Sequence, residues 1–357
     1  MTAPAIRVPG LDEVPAAVEA VLGDFLDGKA RAGADSRILQ FTGILRGLLA
    51  AGGKRLRPVL CCCGWQAAGG GDLTPVVPAA ASLELFHTFA LIHDDVMDRS
   101  PTRRGRPTVH RTLATRVSGR PGCLDAERFG DNGAILLGDL AMVWSDELLH
   151  AGGPTSVQLA AARPVLNAMR SEVVYGQYLD LLAGTDLGSG LEAALTVVRY
   201  KTAKYTVERP LQLGAALAGG DGRVLEACSA YGVPLGEAFQ LRDDVLGVFG
   251  DPAVTGKSRL DDLREGKHTP LLAIALRRAD RTQTRTLRTL VGDPGLDEEG
   301  AARIRDILRA TGALDTVEHM IDERHRQAVG SLRRSPFPVS VQAALHRLAT
   351  AATARTS

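Results

Sequence analysis

The chain has 357 residues, with 42 Lys and Arg against 41 Asp and Glu and a net charge of +1. That balance gives no electrostatic case for nucleic acid or an anionic membrane as partner, so any anion must be held by a local cluster. Hydrophobic residues make up 45% and aromatics only 4%. Ala, Leu and Arg are abundant and period-two alternation is scarce, so sheet is disfavoured and an all-α chain is expected.

Residues 1–10 carry Pro4 and Pro9 with little periodicity and are expected to be disordered. Residues 11–357 read as a single all-α domain, because no composition shift marks a boundary and no repeat of 20–50 residues stands out. Loops are expected at Gly69 to Gly71, Ser118 to Gly133, Gly184 to Gly190, Gly219 to Gly222 and Gly250 to Gly256. The helical segments between them read as a large bundle. The N-terminus lacks a basic stretch followed by an apolar run, and no stretch approaches the ~20 apolar residues of a membrane span. The expected location is therefore the cytoplasm, with no stable membrane insertion. Cys61, Cys62 and Cys63 are adjacent, so on a helix they point in different directions and cannot converge on one metal. With Cys123 and Cys228 they form no CxxC pair, and they read as core residues of a reducing compartment.

In chain order, the first cluster is Gly52-Gly53-Lys54-Arg55-Leu56-Arg57-Pro58, three cations in four residues beside two glycines. The glycines allow backbone close to an anion, and Pro58 suits the first turn of a helix. Arg55 after Lys54 excludes a GxxxxGK[ST] phosphate loop. Next comes an apolar helix, about Pro78 to Met97, whose end carries Asp94, Asp95 and Asp98. Asp94 and Asp98 are four apart and share a helix face. Three carboxylates so close repel one another unless a cation is present, and oxygen-only ligands select a hard divalent ion such as magnesium. Arg103-Arg104-Gly105-Arg106 follows, and arginine forks match phosphate geometry. The same pattern recurs in Phe239-Gln240-Leu241-Arg242-Asp243-Asp244-Val245-Leu246-Gly247, with Gly247 where the first helix has Asp98. Lys257, the pair Asp261-Asp262 and Lys267 come soon after.

These pieces, in this order, resemble the trans-isoprenyl diphosphate synthase (polyprenyl synthetase) family from about Gly52 to Lys267, most closely its geranylgeranyl diphosphate synthases. Gly53 to Pro58 resembles the family's GKRxRP turn and Asp94 to Asp98 its first DDxxD motif. Lys201-Thr202 resembles its KT pair, Gln240 with Asp243-Asp244 its second aspartate-rich motif, and Lys257 and Lys267 its later lysines. The resemblance implies an all-α bundle around a deep central cavity, a homodimer, and more than one Mg2+ ion per active site. It implies isoprenoid diphosphate substrates, with magnesium bound by Asp94, Asp98 and Asp243 and supported by Asp244. Arg103, Lys201 and Lys257 would contact the allylic diphosphate. Lys54, Arg57, His87 and Arg104 would hold isopentenyl diphosphate. Thr202 and Gln240 would lie beside the reacting carbons. Gly247 departs from the family's third aspartate in the second motif.

The reaction so implied breaks an allylic carbon–diphosphate bond and attacks the cation with isopentenyl diphosphate. It needs fixed positive charge for the leaving group and a dry apolar wall, for which Phe86, Phe89, Ala90 and Leu91 are candidates. Product length in this family depends on the residues four and five before the first aspartate, here Ala90 and Phe89. A small residue after a bulky one resembles synthases of the C20 product, geranylgeranyl diphosphate. Helical spacing alone puts only Ala90 under Asp94. Alternatives are a farnesyl diphosphate synthase, a terpene cyclase, which would leave the Gly53 to Pro58 turn without a task, and a non-catalytic subunit, which would be expected to lack the first aspartates.

Overall fold

The computed structural model describes residues 10–33, 35–103, 105–119, 125–186, 188–251 and 258–353. Among these the chain is helical apart from one short antiparallel pair, β1 (Thr102–Arg103) with β2 (Arg106–Pro107), in the register Thr102 to Pro107 and Arg103 to Arg106. The chain divides into two compact units. One runs to Arg163 and includes Pro210–Asp221; the other comprises Pro164–Arg209 and the chain from Gly222 onward.

The first unit contains α1 (Val14–Ala32), α2 (Ser36–Ala50), α3 (Leu56–Ala67), α4 (Val77–Met97), α5 (Val109–Val117) and α6 (Ala126–Ala151). It also takes in the start of α7 (Ser156–Thr185) and nearly all of α9 (Arg209–Leu217). Pro78 sits in the first turn of α4, where a missing N–H costs nothing. From there the helix is apolar on almost every side, and Ala79 to Phe86 are all buried. It packs chiefly on α6, where the Ser145 hydroxyl donates to the Ser82 carbonyl at 2.8 Å. The helix predicted from Pro78 to Met97 is thus present almost residue for residue. The loop expected from Ser118 to Gly133 is shorter than predicted. Asp125 caps α6 by accepting from the Arg128 amide at 2.9 Å, so Gly130 and Gly133 are helical. Gly130 serves packing instead: a Cβ there would meet the His110 carbonyl oxygen at 2.3 Å.

In the second unit lie most of α7, α8 (Gly190–Val197), an 11-residue π-helix (Val198–Glu208), α10 (Gly222–Phe249), α11 (Asp261–Arg264) and α12 (Pro270–Arg278). It is completed by α13 (Arg281–Leu290), α14 (Glu298–Ala310), α15 (Ala313–Leu332) and α16 (Val339–Thr353). Its core joins Leu241, Val245 and Val248 of α10 to Ile274 of α12, Ile304 of α14 and Ile321 of α15.

The four described cysteines are free and buried. Burial pushes the Cys62 and Cys228 thiols up to about 12, so they act as small apolar side chains. Cys123 lies outside the described residues. No helix among the described residues is long and apolar enough to cross a membrane.

Helices α3 and α9 cross at backbone distance. A Cβ on Gly64 would stand 1.9 Å from the Leu211 carbonyl oxygen, and one on Gly214 would stand 1.8 Å from that of Cys61. Backbone cannot swing aside as a side chain can. Gly64→Ala and Gly214→Ala are each expected to cost about 1–3 kcal/mol, read as a lower urea midpoint at unchanged m-value.

Candidate active site

In the first unit the acidic end of α4 closes on itself. Asp98 caps the helix, its amide bonding the Asp94 carbonyl at 2.8 Å. Arg99 takes the left-handed conformation at φ 53°, and the Ser100 amide returns to the Asp95 carbonyl at 3.0 Å. The β1–β2 pair then carries Arg103 back over the helix end. Its Nε donates to Asp95 Oδ1 at 2.7 Å and its Nη2 to Asp94 Oδ2 at 3.3 Å. Burial works against the guanidinium charge, but Asp95, Asp94 and Asp98 outweigh it and hold Arg103 firmly protonated. Asp95 is only 3% exposed and is answered by Arg103, whereas Asp94 and Asp98 are half-buried. Arg104 lies outside the described residues.

Two further features belong to the same unit. One turn and more before Asp94, the half-buried ring of Phe89 stands against buried Phe86 at 5.3 Å and edge-on to His93 at 4.8 Å. His93 Nε2 in turn bonds the Ile135 carbonyl at 3.1 Å, which fits a structural role. Ala90 is half-buried, as is His87. The basic turn bends through Gly52 at φ 77° and Gly53 at φ 153° into α3, leaving Lys54 exposed and Arg57 half-buried.

Within the second unit, Lys201 and Thr202 lie in the π-helix, a geometry that 3.6-residue periodicity does not reveal. Lys201 Nζ donates to Asp180 Oδ2 of α7 at 2.6 Å. Lys204 and Arg209 fasten the same segment to Glu172, at 2.6 and 2.7 Å. On the other side α10 comes close because Gly236 lacks a side chain: a Cβ there would meet Ala203 Cα at 2.4 Å. The approach lets the Thr202 hydroxyl donate to Gln240 Oε1 at 2.8 Å, while Gln240 Nε2 donates to Asp244 Oδ1 at 2.7 Å. The Gln240 amide is thereby fixed in one orientation.

Asp243 and Asp244 follow on the same helix, and Asp244 is buried. Beside them, Asp262 of α11 reaches toward α10. Its Oδ2 stands 2.0 Å from where a Cβ on Gly247 would be. Its Oδ1 accepts from Lys267 Nζ at 3.0 Å, and Lys267 also pairs with Glu265 at 2.8 Å. Asp180, Asp262 and Glu265 did not emerge from the sequence as partners of the lysines, although the Asp261-Asp262 pair was visible. Lys257 lies outside the described residues.

Both acidic clusters suit a hard divalent cation, since all their donors are carboxylate oxygens. Among the described residues no three acidic, His or Cys side chains form a closed metal cage. Magnesium does not ask for one, being held by one or two carboxylates with substrate phosphate and water completing its shell. The state of Asp244 fits the same view. Burial pushes its carboxyl up to about 8, with Asp262 and Asp243 adding to the rise and Gln240 opposing it. A carboxyl so placed ionises more readily beside an added cation.

The folded protein therefore holds a proton on Asp244 more tightly than the unfolded chain does, where an Asp titrates near about 3.9. The stability this group contributes is full below pH ~4 and is lost as pH rises to about 8. Metal-free Asp244→Asn is expected to melt several degrees above wild type at pH 8, with the gap closing near pH 4. Calorimetry in chelator across that range checks it.

Comparison with known proteins completes the picture. The polyprenyl synthetase family matches residues 40–308. The chain is 36% identical to the geranylfarnesyl diphosphate synthase of Aeropyrum pernix over 275 residues, 76% of this chain and 80% of that protein. It is 34% identical to the geranylgeranyl diphosphate synthase of Methanosarcina mazei, over 77% of this chain and 78% of that protein. The crystal structure of geranylgeranyl pyrophosphate synthase from Corynebacterium glutamicum, complexed with isoprenyl diphosphate and magnesium, superposes with a TM-score of 0.93 at 41% identity, covering 97% of this chain and all of that one. The chain belongs to the polyprenyl synthetase family and is a prenyltransferase.

Proposed function

We propose that the protein condenses isopentenyl diphosphate with dimethylallyl, geranyl and farnesyl diphosphates to make geranylgeranyl diphosphate. The observation that carries this reading is the layout of α4. Carboxylates stand at its end, and the ring of Phe89 stands just below them, braced by Phe86 and His93. A polar head site above an apolar, walled tail site is what a prenyl diphosphate of limited length requires. The relatives described as geranylgeranyl synthases support the same product, and the one described as a geranylfarnesyl synthase marks the C25 alternative.

In this reading the allylic C–O bond breaks and its electron pair leaves on the diphosphate. The double bond of isopentenyl diphosphate then forms the new C–C bond, and a proton passes from the adjacent carbon to diphosphate oxygen. The products are inorganic diphosphate and a chain five carbons longer. Asp94, Asp98 and Asp243 would hold magnesium, more than one ion, with Asp244 in support. Bound magnesium supplies positive charge that stabilises the leaving group. Arg103, Lys201 and Lys257 would bind the allylic diphosphate and Lys267 would add to the positive charge there, while Lys54, Arg57, His87 and Arg104 would bind isopentenyl diphosphate. The oriented Gln240 oxygen and the Thr202 hydroxyl would present negative dipole ends to the developing cation. Phe89 would exclude water and stop the growing tail.

The buried free thiols fit a reducing cytoplasm. Phe129, Leu136 and Val143 are exposed at seven-residue spacing on α6, and such an apolar stripe supports a homodimer.

The deciding test incubates purified protein with magnesium, labelled isopentenyl diphosphate and each starter in turn, then sizes the dephosphorylated products. A C20 alcohol is expected, and Phe89→Ala should move the product to C25 or longer. A C15 or C25 product from wild type would overturn the C20 assignment; no incorporation from any starter would overturn the synthase reading itself. Asp94→Asn should lower kcat by on the order of 10²–10³.

A further inference from the structure

The basic turn contains a cation that faces the protein interior. Between exposed Lys54 and half-buried Arg57, the side chain of Arg55 turns inward and is 6% exposed. Its Nη1 donates to Glu84 Oε2 at 2.6 Å and its Nη2 to the Leu49 carbonyl at 2.6 Å, with Glu19 at 3.6 Å. Glu84 is itself 5% exposed on an otherwise apolar stretch of α4. Arg55 adopts φ 46°, ψ 40° as the N-cap of α3, a conformation that a non-glycine residue keeps only when its surroundings enforce it. Its carbonyl receives the first helical bond of α3, from the Val59 amide at 3.1 Å.

Glu84 precedes His87 by three residues, so the two share a face of α4. One fork therefore grips the end of α2 through Leu49, the start of α3 through its own backbone, and the helix that carries His87. We propose that Arg55 and Glu84 are positioning residues: their buried ion pair pins the basic turn to α4 and sets Lys54 and Arg57 in register with His87 for isopentenyl diphosphate. The inference rests on the reading that this turn holds isopentenyl diphosphate. A guanidinium is needed because one side chain must bond a carboxylate and a carbonyl at once, which a lysine point charge does less well. The left-handed backbone turns residue 55 inward, while Lys54 is exposed and Arg57 half-buried.

A buried ion pair is often replaceable by apolar residues without loss of stability, while breaking one partner leaves a buried charge. That separates positioning from folding. The Arg55→Met/Glu84→Met double variant removes the pin without leaving a lone charge, and Glu84→Gln and Arg55→Lys weaken it. Steady-state kinetics would vary isopentenyl diphosphate and farnesyl diphosphate separately, and calorimetric titration would measure isopentenyl diphosphate binding to each protein. Melting temperature would be recorded alongside. The expected result is a tenfold or greater rise in KM and Kd for isopentenyl diphosphate. The KM for farnesyl diphosphate should stay within twofold and kcat within threefold, even in a double variant that melts like wild type. Unchanged isopentenyl diphosphate affinity in any variant that folds, or equal losses toward both substrates, would overturn the proposal, as would failure of all three variants to fold, which would make the pair a folding element. Wild-type protein that transfers no prenyl group would instead overturn the functional reading beneath it.

Discussion

Carboxylates set close together on largely apolar helices are a constraint that both units have to meet. Two like charges about 4 Å apart repel by roughly 4 kcal/mol at an effective dielectric near 20, and burial adds a desolvation cost to each. The two units answer this differently. Around α4 a cation is brought in covalently: the left-handed Arg99, the Ser100 bond and the β1–β2 pair return Arg103 to Asp95 and Asp94. Around α10 burial pushes the Asp244 carboxyl up to about 8, which favours a proton there until a cation is added. In each case positive charge has come to a place where the chain has concentrated negative charge. A substrate made of diphosphate and magnesium brings both signs, which is why such clusters suit it.

Much of this was legible in the sequence. The α4 helix, its acidic end and the basic turn depend on local spacing, and local spacing is what a one-dimensional pattern records. The loop prediction from Ser118 to Gly133 went astray for a physical reason. Gly130 is there to let α5 and α6 touch, and a glycine used for close approach looks identical in sequence to a glycine used for a turn. The π-helix under Lys201 and Thr202 was invisible because its 11 residues, VRYKTAKYTVE, carry too few apolar side chains to display the period of a wider turn. The partners of the cations, Asp180 for Lys201 and Glu84 for Arg55, lie 21 and 29 residues away and needed the fold to bring them in.

Gly247 is the position where sequence and structure speak to each other most directly. Compared with Asp98, it reads as a missing carboxylate. In space a carboxylate is there, since Asp262 fills the volume that a side chain at 247 would take. The charge has moved from α10 itself to α11. That relocation has a consequence for the neighbouring cation. Lys267 is held by Asp262 and Glu265, so any phosphate it contacts must compete with two carboxylates for one ammonium. An aspartate on α10 would be fixed to the same rigid helix as Asp243. Asp262 is carried instead on the four-residue α11, where its carboxylate accepts from Lys267 Nζ at 3.0 Å. The departure at 247 thus exchanges a carboxylate set by one helix for one whose place depends on the fold of the segment that follows.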